Sequence, residues 1–111
     1  MTLTELNTNG NTIIRVDEER LDAHNAESLK QRLAAVFSEG ATSVVVDLQP
    51  VRFIDSSGLG ALVSGFKNAS THQGVLKLAG LHTQVRSMFE LTRLHRVFDI
   101  YETTDEACAA S

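Results

Sequence analysis

Ser43-Val44-Val45-Val46-Asp47-Leu48 and Val75-Leu76-Lys77-Leu78-Ala79 bracket a stretch in which Leu59, Leu62, Val63 and Phe66 recur at i, i+3, i+4 and i+7. The first run is β-branched and apolar on both faces, as a strand in the middle of a sheet must be. The intervening spacing predicts an amphipathic helix from about Ser57 to Thr71, ending near Gly74. Strand, helix and strand in that order make a crossover unit, so the strands flanking the helix should be parallel.

Working outward, Leu29, Leu33, Val36 and Phe37 predict a helix from about Asn25 to Glu39, with Asn25 as N-cap and Gly40 at the stop. Further upstream, Asn9-Gly10 separates the β-type runs Leu3–Asn7 and Thr12–Val16, a strong signal for an antiparallel hairpin. Downstream, Val85, Met88, Phe89 and Thr92 mark a short third helix, and Val97–Tyr101 reads as a fifth strand. Thr103-x-x-Glu106 has the form of a capping box opening a brief helix through Ala109. The expectation is an α/β fold: one domain over residues 1–111, with a mixed, mostly parallel sheet of about five strands covered by about four helices.

Composition narrows the function classes. Of 111 residues, 42% are hydrophobic and 22% charged, which excludes a disordered chain. No apolar run approaches the ~20 residues that cross a bilayer, so membrane insertion is not expected. Met1-Thr2-Leu3-Thr4-Glu5 shows no secretory signal, and the single Cys108 has no internal disulfide partner, which fits a cytoplasmic protein. Lys and Arg number 10 against 14 Asp and Glu, a net charge of −4. The one basic cluster, Arg86, Arg93, His95 and Arg96, is thin and interrupted by Glu90, which argues against direct nucleic-acid binding.

Between the buried strand and the second helix lies Val51-Arg52-Phe53-Ile54-Asp55-Ser56-Ser57-Gly58-Leu59-Gly60. Asp55 or Ser56 can act as N-cap, leaving Ser57 in the first turn, where free N–H groups and the helix dipole favour an added anion. Gly58 and Gly60 remove bulk around that turn and would let another molecule's backbone approach. An exposed serine hydroxyl placed there sits where a phosphate finds donors. Ordinary helix capping accounts for the same residue types, and on the residues alone both readings stand.

The motif Asp55-Ser56-Ser57-Gly58-Leu59-Gly60, preceded by Val45-Val46-Asp47-Leu48 and Val51-x-Phe53-Ile54, resembles the signature of the anti-sigma factor antagonist family, the STAS domain. Arg20-Leu21-Asp22-Ala23-x-Asn25-Ala26 resembles that family's approach to its first helix. Val75–Leu81 is similar to its next strand and loop, and Val85–Leu91 to its third helix. The resemblance runs from about Leu3 to Ala107. It implies a regulator of sigma-factor-dependent transcription, or of a related partner-switching pathway, that is a kinase substrate and not an enzyme. Unphosphorylated, such a protein binds an anti-sigma factor with serine-kinase activity; phosphorylated, it lets go, and a serine phosphatase restores it. By motif position Ser57 would be the phosphoacceptor, with Asp55, Ser56, Gly58 and Gly60 forming its loop. Asp22, Asn25 and Leu59 would face the partner. The same resemblance leaves room for a STAS subunit docked on a transporter or a signalling assembly.

Other chemistries fail on spacing. Gly60-x-x-x-x-Gly65-Phe66-Lys67 has Phe66 where a phosphate-binding loop needs Lys, and Gly58-x-Gly60 has Val63 in place of a third glycine. That leaves nucleotide binding as a remote alternative. Neither Ser57 nor Ser64 has the two flanking glycines of a hydrolase elbow, and His24, His72, His82 and His95 are scattered. Neither cofactor nor metal is expected.

Overall fold

The computed structural model describes residues 1–110 of the chain. Its elements are β1 (Leu3–Thr8), β2 (Asn11–Val16), β3 (Arg20–Leu21), α1 (Ala26–Ser38), β4 (Ser43–Asp47), β5 (Phe53–Ile54), α2 (Ser56–Thr71), β6 (Val75–Ala79), α3 (Thr83–Leu91), β7 (Asp99–Tyr101) and α4 (Thr104–Ala109). One sheet has the order β1-β2-β4-β6-β7, and a second, two-stranded ribbon joins β3 to β5.

The hairpin forms as its sequence requires. Asn9 and Gly10 take φ of 49° and 80°, the left-handed pair of a tight turn matched to strand twist, and β1 runs antiparallel to β2 with Leu6 opposite Ile13. All the other pairings in the main sheet are parallel. α1, α2 and α3 each cross between parallel neighbours, so their N-termini gather at the carboxyl ends of the strands. Open α/β sheets bind other molecules at that edge.

The sheet is buried unequally on its two faces. Val44 and Val46, with Leu76, Leu78, Ile14 and Val16, pack against Leu29 and Leu33 of α1, Leu62 of α2 and Phe89 of α3 in one continuous core. Val45 and Ala79 turn the other way and meet only Ala107 of α4 among fully buried residues. On that second side Lys77 is 6% exposed. Its ammonium donates to the backbone oxygens of Ala107, at 3.0 Å, and Ala110, at 2.6 Å, at the C-terminal end of α4. A cation placed there complements the negative end of the helix.

Three details depart from the expected elements. β3 and β5 were not anticipated as strands, because two residues carry no readable period. The fifth strand is shorter than Val97–Tyr101: a 3-10 turn over Leu94–Arg96 swings Phe98 into the core, edge-on to Phe66 and Phe89 at 5.6 and 5.7 Å. Asn25 occupies the N-cap position of α1, but its side chain makes no capping bond. α2 ends at Thr71 as expected, and the chain then turns through Gln73, at φ 60°, just before Gly74. The Thr103 cap is present, its hydroxyl accepting from Glu106 N–H at 3.1 Å.

Candidate functional site

The first turn of α2 is built from the ribbon beneath it. Arg52 and Phe53 N–H donate to Glu19 O at 2.7 and 3.2 Å, and Asp55 N–H donates to Leu21 O at 3.3 Å. This lashes the incoming chain to β3. Asp55 is the N-cap, in extended backbone, and its Oδ1 accepts from Gly58 N–H at 3.0 Å. Of the two capping candidates the structure therefore uses Asp55, and Ser56 and Ser57 become the first two helical residues, both exposed.

Gly58 and Gly60 separate in role. A Cβ on Gly58 would lie 2.6 Å from Leu21 O and 2.7 Å from Ile54 Cγ1, so the helix start rests directly on the ribbon and only glycine fits. The expectation that Gly58 opens the turn to another molecule is corrected: its missing side chain is used inside the fold. Gly60 has nothing within 4 Å of a built Cβ and does face outward. Leu59, expected at a partner surface, is 5% exposed and belongs to the core. Helical geometry sends residue 59 inward with Leu62 and Phe66, which the same periodicity had already implied.

Facing this turn is the start of α1. Asp22 Oδ1 accepts from His24 N–H at 3.0 Å, and its Oδ2 lies 3.4 Å from Arg20 Nε. Its backbone oxygen accepts from Asn25 and Ala26 N–H at 3.1 and 2.8 Å. Asn25 reaches backwards, accepting from Asp22 N–H at 2.9 Å and donating to Arg20 O at 2.8 Å. Both side chains are therefore occupied in folding the loop. What the loop presents instead is Ala23, followed on α1 by Ala26, Glu27 and Lys30. With Ser57, Gly60 and Ala61 of α2 these line an open depression of about 340 Å³.

Glu27, Lys30 and the outward Phe53 are the features that sequence reading missed. Phe53 is 42% exposed, with the Arg20 guanidinium 4.1 Å from its ring centroid. Nothing in Arg52-Phe53-Ile54 marks it, because Arg52 and Phe53 are both exposed and only Ile54 is buried, so the run shows no strand period. Glu27 and Lys30 gave no signal either, because charges on the polar stripe of a helix look alike until another helix start is placed beside them.

The carboxyls with displaced ionisation lie elsewhere. A side-chain hydrogen bond from Arg32 holds Glu5 below its ordinary value, and Thr4 followed by Arg15 does the same for Asp17. Among the described residues no group of three or more His, Cys, Asp or Glu could hold a metal ion. No helix among them is long and apolar enough to cross a membrane.

Chemically, the arrangement offers an uncrowded hydroxyl at a helix N-terminus, beside a depression floored by small residues. The family model described as STAS domain matches residues 4–107. The anti-sigma-B factor antagonist of Listeria monocytogenes is 31% identical over 86 residues, 78% of this chain and 75% of that protein. That of Bacillus subtilis is 32% identical over 80 residues, 72% of each. Among solved structures, an anti-sigma factor antagonist from Mycobacterium paratuberculosis matches with a TM-score of 0.86 at 26% identity, covering 96% of this chain and 90% of that one.

Proposed function

The chain belongs to the STAS domain family, and on that premise we propose that it is a cytoplasmic anti-sigma factor antagonist whose hold on its partner is set by phosphate on Ser57. The observation that supports this most is the placement of Ser57: exposed, in the first turn of α2, at the rim of an open depression between two helix starts.

In the unmodified state the surface around Ser57 and Gly60 binds an anti-sigma factor with serine-kinase activity, and the sigma factor held by that partner is set free. The kinase then moves the terminal phosphoryl group of ATP onto Ser57 Oγ. An O–P bond forms, the bond to ADP breaks, and the hydroxyl proton leaves to solvent or to a base on the kinase. A serine phosphatase reverses the modification by hydrolysis. The protein is the substrate of both enzymes and catalyses neither step.

The physics of release is local. Phosphate adds about −1.5 to −2 charges at neutral pH. Because Ser57 is exposed, the domain has no need to repack around it. At a closed interface that charge must be desolvated, and a penalty of ~3 kcal/mol already weakens binding more than 100-fold. Gly60 serves the same surface by letting the partner's backbone come close.

Incubation with the cognate kinase and ATP, followed by phosphopeptide mass spectrometry, tests the assignment. Phosphate on Ser57 is the expected result, and phosphate elsewhere with none on Ser57 overturns it. Ser57→Ala should bind the anti-sigma factor and resist release, whereas Ser57→Asp should bind weakly in an equilibrium titration.

A further inference from the structure

We propose that Lys30 is a counter-ion built into this chain for the phosphate on Ser57, drawn across the depression between α1 and α2 when the serine is modified. This rests on the reading of Ser57 as phosphoacceptor and adds to it an element of this chain outside the motif.

Lys30 and Ser57 line the same depression from opposite helices; apart from Glu27, which neighbours Lys30 on α1, the rest of its lining is Ala23, Ala26, Gly60 and Ala61. None of these is large enough to stand between an ammonium and a phosphate. Lys30 is exposed and has no ion-pair partner among the described residues. Two guanidiniums on the neighbouring elements are committed, Arg20 to Asp22 and the Phe53 ring, and Arg32 to Glu5 and Glu39. A flexible four-carbon stem carrying a compact charge suits a contact that forms only after modification.

The other charged groups around the turn are Asp55 at the start of α2, Glu27 on α1, and Asp22 and His24 in the loop leading to α1. Glu27 shares the lining with Lys30 and opposes it. The phosphate therefore meets one attracting and one repelling side chain on the facing helix. Recruitment of Lys30 favours the dianion and narrows the depression. Phosphorylation thus changes the shape of the binding surface as well as its charge.

The test uses full-length protein with phosphoserine inserted at position 57 during translation, so that no kinase is needed. The second ionisation of the phosphate is followed by phosphorus NMR across pH. Lys30→Gln should raise its midpoint by roughly 0.3–0.7 pH unit, the size of a surface ion pair. Glu27→Gln should lower it, and added salt should shrink both differences. Each comparison is repeated with His24→Gln in both proteins, which removes the imidazole of the neighbouring loop. Superimposable curves for the wild type and Lys30→Gln would overturn the proposal. Kinase specificity is scored separately by mass spectrometry, so failure of the Ser57 assignment and failure of the Lys30 contact give different results.

Discussion

The inner and outer sides of the first turn of α2 are made from interleaved residues of one short motif, and they obey different constraints. On the inner side, Asp55 closes onto Gly58 N–H, Gly58 touches Leu21 and Ile54, and Leu59 enters the core. On the outer side, Ser56, Ser57 and Gly60 are exposed, and a Cβ on Gly60 would meet nothing within 4 Å. Gly58 and Gly60 are the same residue two positions apart, yet one is a packing requirement and the other an open surface. A motif read as a functional unit is therefore two units, one that fixes the position of the hydroxyl and one that presents it.

Modifying the outer side gives the largest effect. Phosphate on Ser57 should reduce anti-sigma factor affinity more than 100-fold, equivalent to ~3 kcal/mol, while the urea midpoint stays within the small range of surface changes. A large loss of stability on phosphorylation would erase the distinction between the two sides. Next comes Gly58→Ala, which forces a Cβ against a carbonyl oxygen and should cost about 1–3 kcal/mol by chemical denaturation. An unchanged midpoint would mean that α2 does not rest on the ribbon.

Asp55→Ala removes the cap and should cost about 1 kcal/mol. Gly60→Ala sharpens the contrast because its two readouts should diverge. An exposed helical glycine replaced by alanine gains roughly 0.5–1 kcal/mol of stability, while the added methyl obstructs the partner and lowers affinity. A loss of stability there would show that residue 60 belongs to the inner side.

The smallest expected effect lies away from the turn, where the carboxyl of Glu5 is held below its ordinary 4.5 by Arg32 and that of Asp17 below its ordinary 3.8 by Thr4 and Arg15. Carboxyls lowered in the folded state stabilise it above their ordinary values, and that contribution disappears as pH falls through the folded-state values. Acid titration should therefore weaken the β1 edge, and Glu5→Gln should flatten the stability profile below about pH 4.5.

Much of this architecture was readable from residue types because periodicity and burial agree. Val44-Val45-Val46 reads as a central strand and is fully buried on both faces. Asn9-Gly10 reads as a turn and adopts the backbone angles that such a pair permits. What escaped depends on residues distant in sequence. The β3–β5 ribbon pairs residues 33 apart, and its two-residue strands have no pattern to detect. The motif alone places Leu59 outward, although the spacing of its own helix points it inward. Asn25 looked like a cap by position, yet its amide is occupied by Asp22 and Arg20 on the preceding loop. Lys30 became visible only when α1 and α2 were set side by side.

The parallel run of β2, β4, β6 and β7 has a practical consequence. Every crossover that delivers a helix start to the Ser57 end must begin its return at the opposite end, where the Asn9–Gly10 bend and the exits of α1 and α2 at Gly40 and Gln73 are found. Fluorophores or affinity handles attached at that remote pole would report on complex formation without standing in the way of an arriving protein.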